Sequence, residues 1–314
     1  MIRTVTRATA AGFSAIVFWS ATVALARSTA EQIGPLTAGL SVYLIAGLFL
    51  AGHRLAKDRS FNPLRTLSRK YVLGCGALFV SYTIAFFLAL GLAKDRSQTV
   101  EVGLVNYLWP AMTLLFSLFI LGNRARAGVI PGTILGVGGV FLVVTQGAPV
   151  SWGAFLKNVF DNPIPYGLGL FAAVTWALYS NFARRWGSPQ GAGAVHLFVL
   201  VSGIAFGAIR PFAQEAGMWS FRTAAEVGVL GLATGLGYVF WDLAMRAGNM
   251  VLVAAFSYLT PFLSTVVLCI YLGVRPGPRL WVGCLLIVVG SCLSWVSVGP
   301  AGERVAGLRP KTGR

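Results

Sequence analysis

Two short runs in this chain carry residue types that could recognise a solute. They are Asn106-Tyr107-Leu108-Trp109-Pro110 and, 151 positions on, Ser257-Tyr258-Leu259-Thr260-Pro261. Each lies midway along an apolar stretch, 98–121 and 250–273. Proline has no N–H to give to the carbonyl four residues earlier, so the carbonyls of Asn106 and Ser257 are expected to be freed. In hydrocarbon a freed carbonyl must face protein, water or a ligand. The pair reads as two polar notches with Pro110 and Pro261 as hinges. Kinks satisfied by neighbouring helices are the plainer alternative.

Aromatic residues gather at similar depth. Asn106, Trp109, Pro110 and Thr113 recur at three- and four-residue spacing and share one helical face. Trp176, Tyr179 and Ser180 do the same further on, and Trp19, Tyr82, Tyr238 and Trp241 sit mid-stretch elsewhere. Trp and Tyr usually belong to the membrane interface. That suits Trp152 and Trp219 but not Trp109, which is central in its stretch. A buried indole or phenol needs a partner, and a solute cavity would supply one.

The expected site is lined by Trp19, Tyr82, Asn106, Tyr107, Trp109, Trp176, Tyr238 and Ser257. No Lys or Arg lies in the central part of any stretch, so phosphorylated solutes are excluded for want of a fixed cation. Carbonyl acceptors and aromatic faces suit an ammonium group, and the rings suit a flat apolar side chain. A zwitterionic amino acid satisfies both. Ionisable residues within the stretches are few, and Asp242 is the strongest functional candidate, as a membrane acid is by default. Arg246 lies four residues on, one helical turn away, so a structural ion pair is the simpler expectation. His196, near the start of another stretch, reads as packed or interfacial.

These residues sit on an unusual scaffold. Ten windows lack any charged residue: 8–26, 32–53, 71–93, 102–123, 127–156, 162–183, 186–209, 227–241, 247–274 and 280–302. A bilayer core of about 30 Å needs about 20 apolar residues as a helix. Nine windows reach about that length, and the eighth does so if Asp242 is allowed inside. The 314 residues are 56% hydrophobic and 11% charged, a polytopic membrane composition. The longest connections, 55–70 and 146–163, leave no room for a further domain. The net charge of +16 is spread over short loops, which argues against nucleic acid as a partner. With both termini in the cytoplasm, 17 Lys and Arg fall inside and 8 outside, as the positive-inside rule requires. Arg3, Arg7 and the run to Ala26 resemble a cleavable signal, but the repeat favours an uncleaved first helix.

The chain repeats itself. At the offset of 151, Gly132 meets Gly283, Gly139 meets Gly290 and Arg124 meets Arg275; at 157, Gly12 meets Gly169 and Trp19 meets Trp176. The fold class expected is an all-α membrane protein of ten transmembrane helices in two inverted five-helix repeats, 1–150 and 151–314. Five being odd, the second half enters from the opposite side. Inverted repeats are typical of secondary transporters, whose sites lie where the repeats meet.

These proline and glycine positions in ten helices resemble the drug/metabolite transporter superfamily of EamA type, over essentially the whole chain. The resemblance implies an exporter of amino acids, aromatic ones first, in a bacterial inner membrane. Exporters of other small metabolites or drugs are the alternative within that class. An intramembrane enzyme would need clustered Asp, His or Lys, and a passive channel fits an inverted repeat poorly. No phosphate loop, zinc motif or nucleophile elbow is present, so neither cofactor nor metal is expected. Cys75, Cys269, Cys284 and Cys292 lie in apolar stretches as packing residues. Gly132-x-x-x-Gly136, Gly203-x-x-x-Gly207 and Gly231-x-x-x-Gly235 allow close helix approach, so the chain is expected as a monomer or a weak homodimer.

Overall fold

The computed structural model describes residues 2–58, 67–145, 152–190, 193–215, 217–272 and 277–299. Thirteen helices make up almost all of it: α1 (Ile2–Ile33), α2 (Pro35–Asp58), α3 (Gly76–Gly91), α4 (Arg96–Asn106), α5 (Trp109–Ile120), α6 (Val129–Val144), α7 (Trp152–Asp161), α8 (Pro163–Trp186), α9 (Val195–Ile209), α10 (Phe221–Ala247), α11 (Met250–Phe256), α12 (Leu259–Leu272) and α13 (Pro278–Ser297). A π-helical turn, Lys70–Cys75, runs into α3. Two-residue strands β1 (Arg124–Ala125) and β2 (Val298–Gly299) pair antiparallel beside the start of α6 and the end of α13.

Helix dominates because an apolar chain in lipid must satisfy its backbone internally. The ends are set by ordinary signals. The Asp95 carboxylate accepts the Gln98 N–H at 2.8 Å ahead of α4. Ser220 and Asn249 do the same for α10 and α11. Proline opens α5, α8 and α13. Between α1 and α2 the chain turns at Gly34, φ 84°, a conformation that side chains disfavour. Glu215 then accepts the Leu36 and Thr37 N–H groups, both at 2.8 Å, at the start of α2.

Among the described residues, six segments are long and apolar enough to cross a membrane: Pro35–Ala56, Lys70–Gly91, Ser97–Ile120, Val195–Phe212, Phe221–Ala247 and Pro278–Ser297. The pair Met250–Phe256 and Leu259–Val267, bent by 46°, makes a seventh. The chain is an all-α, multi-pass membrane protein.

Glycine brings two helix pairs into backbone contact. A Cβ on Gly139 would meet the Gly283 carbonyl oxygen at 2.6 Å, and one on Gly290 would meet the Gly132 oxygen at 2.6 Å and the Gly136 nitrogen at 2.5 Å. These contacts lock α6 against α13. Gly47 lies against the Leu200 backbone and Gly203 against Leu44, which seats α2 on α9. Gly231 faces Ile45. The glycine faces named from the sequence are thus spent inside the chain. The four cysteines are free thiols, with Cys75 buried.

One element was not expected. The connection 146–163 holds α7, whose Leu156 and Phe160 point outward, 53% and 82% exposed. It is tied down by Asn158, whose amide donates to both carboxylate oxygens of Glu101 at 3.1 and 3.2 Å.

Candidate substrate site

Trp176 on α8 is the hub of a buried aromatic cluster. Ring centroids lie 4.6 Å away at Tyr82 (α3), 5.1 Å at Tyr179 (α8), 5.7 Å at Tyr238 (α10), 5.8 Å at Trp19 (α1), 5.9 Å at Trp241 (α10) and 6.3 Å at Trp109 (α5). The pairs with Trp19 and Trp109 are edge-on, a geometry favoured by ring quadrupoles, and the other four are tilted. Trp176 is 2% exposed, whereas Trp19 and Tyr82 are only half-buried. Three local features seat the rings. Gly237 leaves room for the Trp19 indole, since a Cβ there would lie 2.7 Å from its Nε1. The Tyr43 and Tyr238 hydroxyls are 2.6 Å apart. The Trp241 indole donates to Ser180 Oγ at 3.2 Å.

Both proline-bearing helices are interrupted by a two-residue turn, and only the one with Pro261 is sharply bent, by 46°. The breaks fall at Tyr107-Leu108 and Ser257-Tyr258, and each proline lies in the first turn of the restarted helix. Proline is pre-shaped for a helix start, so the chain stops, turns and resumes. The Ser257 carbonyl, expected to be free, accepts the Thr260 N–H at 3.0 Å. The Ser257 hydroxyl donates to the Ala254 carbonyl at 2.6 Å. What the breaks leave unpaired is side-chain chemistry. Asn106 Oδ1, the Tyr258 hydroxyl and Thr260 Oγ1 are buried without a hydrogen-bond partner, as is Asn181 Oδ1 on α8. The amide of Asn181 donates to the Thr113 carbonyl of α5 at 3.0 Å. Ser20, next to Trp19, donates to the Ile16 carbonyl at 2.7 Å and lies 3.2 Å from the Thr260 carbonyl.

Of the residues chosen from the sequence, Trp19, Tyr82, Trp109, Trp176 and Tyr238 meet in one cluster. Asn106 lies at the first break. Tyr107 does not join the rings; it packs with Tyr258, Val140 and Phe262 between the two breaks. Ser257 is turned onto its own helix. Phe79 and Tyr43 were missed, although Phe79 lies 4.8 Å from Tyr238. Phenylalanine and a single tyrosine in an apolar run carry no mark of site or core. Trp241 and Tyr179 lay at the right depth, and only packing reveals that they join.

Beside the cluster lies the expected ion pair. Arg246 Nε is 2.7 Å from Asp242 Oδ2, with both side chains almost wholly buried. The other carboxylate oxygen accepts the hydroxyls of Tyr71 at 2.7 Å and Tyr179 at 3.1 Å. Arg246 Nη1 also donates to the Ser188 carbonyl. His196 is the second residue of α9 and half-buried. Among the described residues, no group of His, Cys, Asp and Glu could hold a metal ion.

A bundle of apolar helices surrounds a neutral aromatic centre, and Asp242 beside it is paired with Arg246, an arrangement that suits a membrane transporter. The chain belongs to the EamA-like transporter family, whose model matches residues 6–145 and again 164–296. It is similar to the aromatic amino acid exporter YddG of Salmonella typhimurium, 31% identical over 93% of this chain and 97% of the relative. The Escherichia coli protein of that name is 30% identical over the same shares, and that of Ancylobacter novellus 31% identical over 91% and 96%. A solved crystal structure, 30% identical, matches with a TM-score of 0.78 over 92% of this chain and 97% of its own.

Proposed function

We propose that this protein exports aromatic amino acids across a bacterial inner membrane by alternating access, through the cluster centred on Trp176. The observation that carries the reading is the meeting of Trp19, Trp109, Trp176 and Trp241 around one point, with no Lys or Arg among them. Such a centre offers flat apolar faces to a side chain and ring faces to an ammonium group. The unpaired oxygens of Asn106 and Thr260 are acceptors for the same ammonium. The three relatives named as aromatic amino acid exporters support the substrate class.

The scaffold reading is ten crossings in two inverted repeats, 1–150 and 151–314, with both termini cytoplasmic. Three observations support it. Each of the ten charge-poor windows holds a helix or a broken pair. The family model matches twice. The glycine contacts of α6 and α13 are reciprocal: Gly132 meets Gly290 and Gly139 meets Gly283, although the sequence equivalents are Gly132 with Gly283 and Gly139 with Gly290. That exchange is what a local two-fold axis between the halves would give. The Arg-rich end, holding Arg184, Arg185 and Arg246, is then cytoplasmic.

The test is purified protein in liposomes with a panel of labelled amino acids. Saturable flux of Phe and Trp, with phosphorylated solutes unmoved, is expected. Flux without saturation would mean a channel, and no amino acid flux would refute the assignment.

A further inference from the structure

The aromatic cluster and the Asp242–Arg246 pair share one residue. Tyr179 presents its ring to Trp176 at 5.1 Å and to Phe79 at 5.5 Å. Its hydroxyl reaches Asp242 Oδ1 at 3.1 Å. Tyr71 reaches the same oxygen from the π-helical turn ahead of α3, but its ring meets Phe198 at 5.6 Å, and Phe198 rather than Tyr71 meets Phe79 and Tyr179. The Asp242 carboxylate therefore holds three elements together: α8 through Tyr179, the turn before α3 through Tyr71, and its own α10 with Arg246. Described residues on either side of 191–192, between α8 and α9, also meet it. Ser188 gives its carbonyl to Arg246, and Ala194 gives its N–H to the Tyr71 hydroxyl at 3.2 Å. Gly193 lies so near that a Cβ on it would be 2.6 Å from that hydroxyl. This is a polar closure over one end of the aromatic centre. Short π-helical turns often mark functional positions in helices, and here one carries both Tyr71 and the buried Cys75.

We propose that Tyr179 is the positioning residue through which occupancy of the aromatic site reaches this closure. The inference rests on the reading of the Trp176 cluster as the substrate site. A ligand that displaces the Trp176 ring displaces the Tyr179 ring packed on it. The Tyr179 hydroxyl then loses its alignment with Asp242, and the closure is left with Tyr71 and Arg246 alone. Opening at this end would follow binding because the ligand interacts differently with the two states, which is the only way a ligand shifts such a balance. Tyr71 bears on the same carboxylate and meets the cluster only through Phe198, so its part is to strengthen the closure.

Cys75 is a native reporter. It is wholly buried in the same core as Tyr71 and Tyr179. The experiment uses full-length protein in liposomes with Cys269, Cys284 and Cys292 changed to Ala, so that a water-soluble maleimide reads Cys75 alone. L-phenylalanine is the probe, and its binding is measured separately by tryptophan fluorescence. In the parent, saturating L-phenylalanine should change the Cys75 labelling rate by about threefold or more. Tyr71→Phe removes one hydrogen bond to a buried charge, so its basal labelling should rise about tenfold, with the response to L-phenylalanine kept. Tyr179→Phe should lose the Cys75 response even at L-phenylalanine concentrations that saturate its own measured binding. A full response in Tyr179→Phe, or an equal loss in Tyr71→Phe, overturns the proposal, as does a parent that binds L-phenylalanine without any change at Cys75. A parent that binds no aromatic amino acid refutes instead the substrate assignment beneath it.

Discussion

Removing Asp242 should cost more alone than together with Arg246. The two side chains are 2% and 3% exposed and meet at 2.7 Å. Breaking one side of a buried pair leaves an uncompensated charge and costs about 3–5 kcal/mol. Asp242→Asn keeps an oxygen for the Tyr71 and Tyr179 hydroxyls, so its cost belongs at the lower end, about 3 kcal/mol. Arg246→Leu strands the carboxylate and leaves the Ser188 carbonyl without its donor, so about 4 kcal/mol is expected. In the double variant no charge remains to be stranded. Replacing a whole buried pair by apolar or neutral groups is often near neutral, and a net loss of no more than about 2 kcal/mol follows. The double-mutant cycle should then give a coupling of about 5 kcal/mol or more, read from unfolding of the purified proteins in mixed micelles. Additive losses would refute the pairing argument. The same geometry predicts that Asp242→Asn keeps residual transport with an unaltered pH profile, because Arg246 already neutralises the carboxylate. Proton-driven transport in the parent that becomes gradient-independent in Asp242→Asn would overturn this.

Trp109→Ala removes a ring 5.2 Å from Trp241 and 6.3 Å from Trp176; each such contact is worth about 0.5–1.5 kcal/mol beyond its area, so uptake of labelled Phe into inverted vesicles should fall about tenfold or more at unchanged expression. Tyr107→Ala, which packs between the two breaks, should reduce uptake less than Trp109→Ala does. Gly237→Ala puts a methyl group 2.7 Å from the Trp19 indole nitrogen and should raise KM for Phe without lowering the melting temperature by more than a few degrees. Gly290→Val drives atoms into the α6 backbone at 2.5 and 2.6 Å, where no side chain can yield, so a loss at or beyond the usual overpacking range of about 1–3 kcal/mol should appear as failed expression. Single cysteines placed in 152–160 should label from outside and those in 58–68 from inside; labelling of both from one side would sink the inverted-repeat reading.

What the sequence made legible is what a membrane enforces. Charge-poor windows mark helices because hydrocarbon admits little else. The spacing of Asp242 and Arg246 was enough to expect their pairing, since both lie on one face of one helix. The Trp19–Trp176 match across the repeat anticipated two rings that lie 5.8 Å apart. What stayed hidden depends on partners far along the chain. Glu101 sits at the edge of a window and reads as a boundary residue, yet it is fully buried under Asn158 and Tyr166. Helix α7 was hidden because ten mixed residues in a connection have no apolar run to announce them. The breaks fell upstream of the prolines because a proline begins a helix as readily as it ends one. Side-chain direction was also beyond reach: the Ser257 hydroxyl turns onto its own helix, and the Tyr107 ring packs between the two breaks.

The two broken helices are alike in sequence and unlike in use, and that asymmetry bears on transport. α4 and α5 run on closely enough to form a single span of 24 residues, whereas the pair containing Pro261 is bent by 46°. At the equivalent position one break carries Trp109, packed into the cluster, and the other carries Thr260, whose hydroxyl has no partner. The first break therefore delivers an aromatic face to the centre, and the second delivers a bend and a free polar group. If two related halves exchange conformations, the bend must pass from one helix to the other while Trp109 stays with its own. The aromatic half of the site then moves with α5 and the polar half with α12. Exchanging Trp109 and Thr260 tests this directly. Trp109→Thr with Thr260→Trp keeps the composition of the site but reverses which helix holds the ring. A site defined by composition alone would still transport Phe. A site defined by this asymmetry should bind Phe, measured on purified protein, about tenfold more weakly and lose transport, and retained transport in the exchanged variant would refute the division.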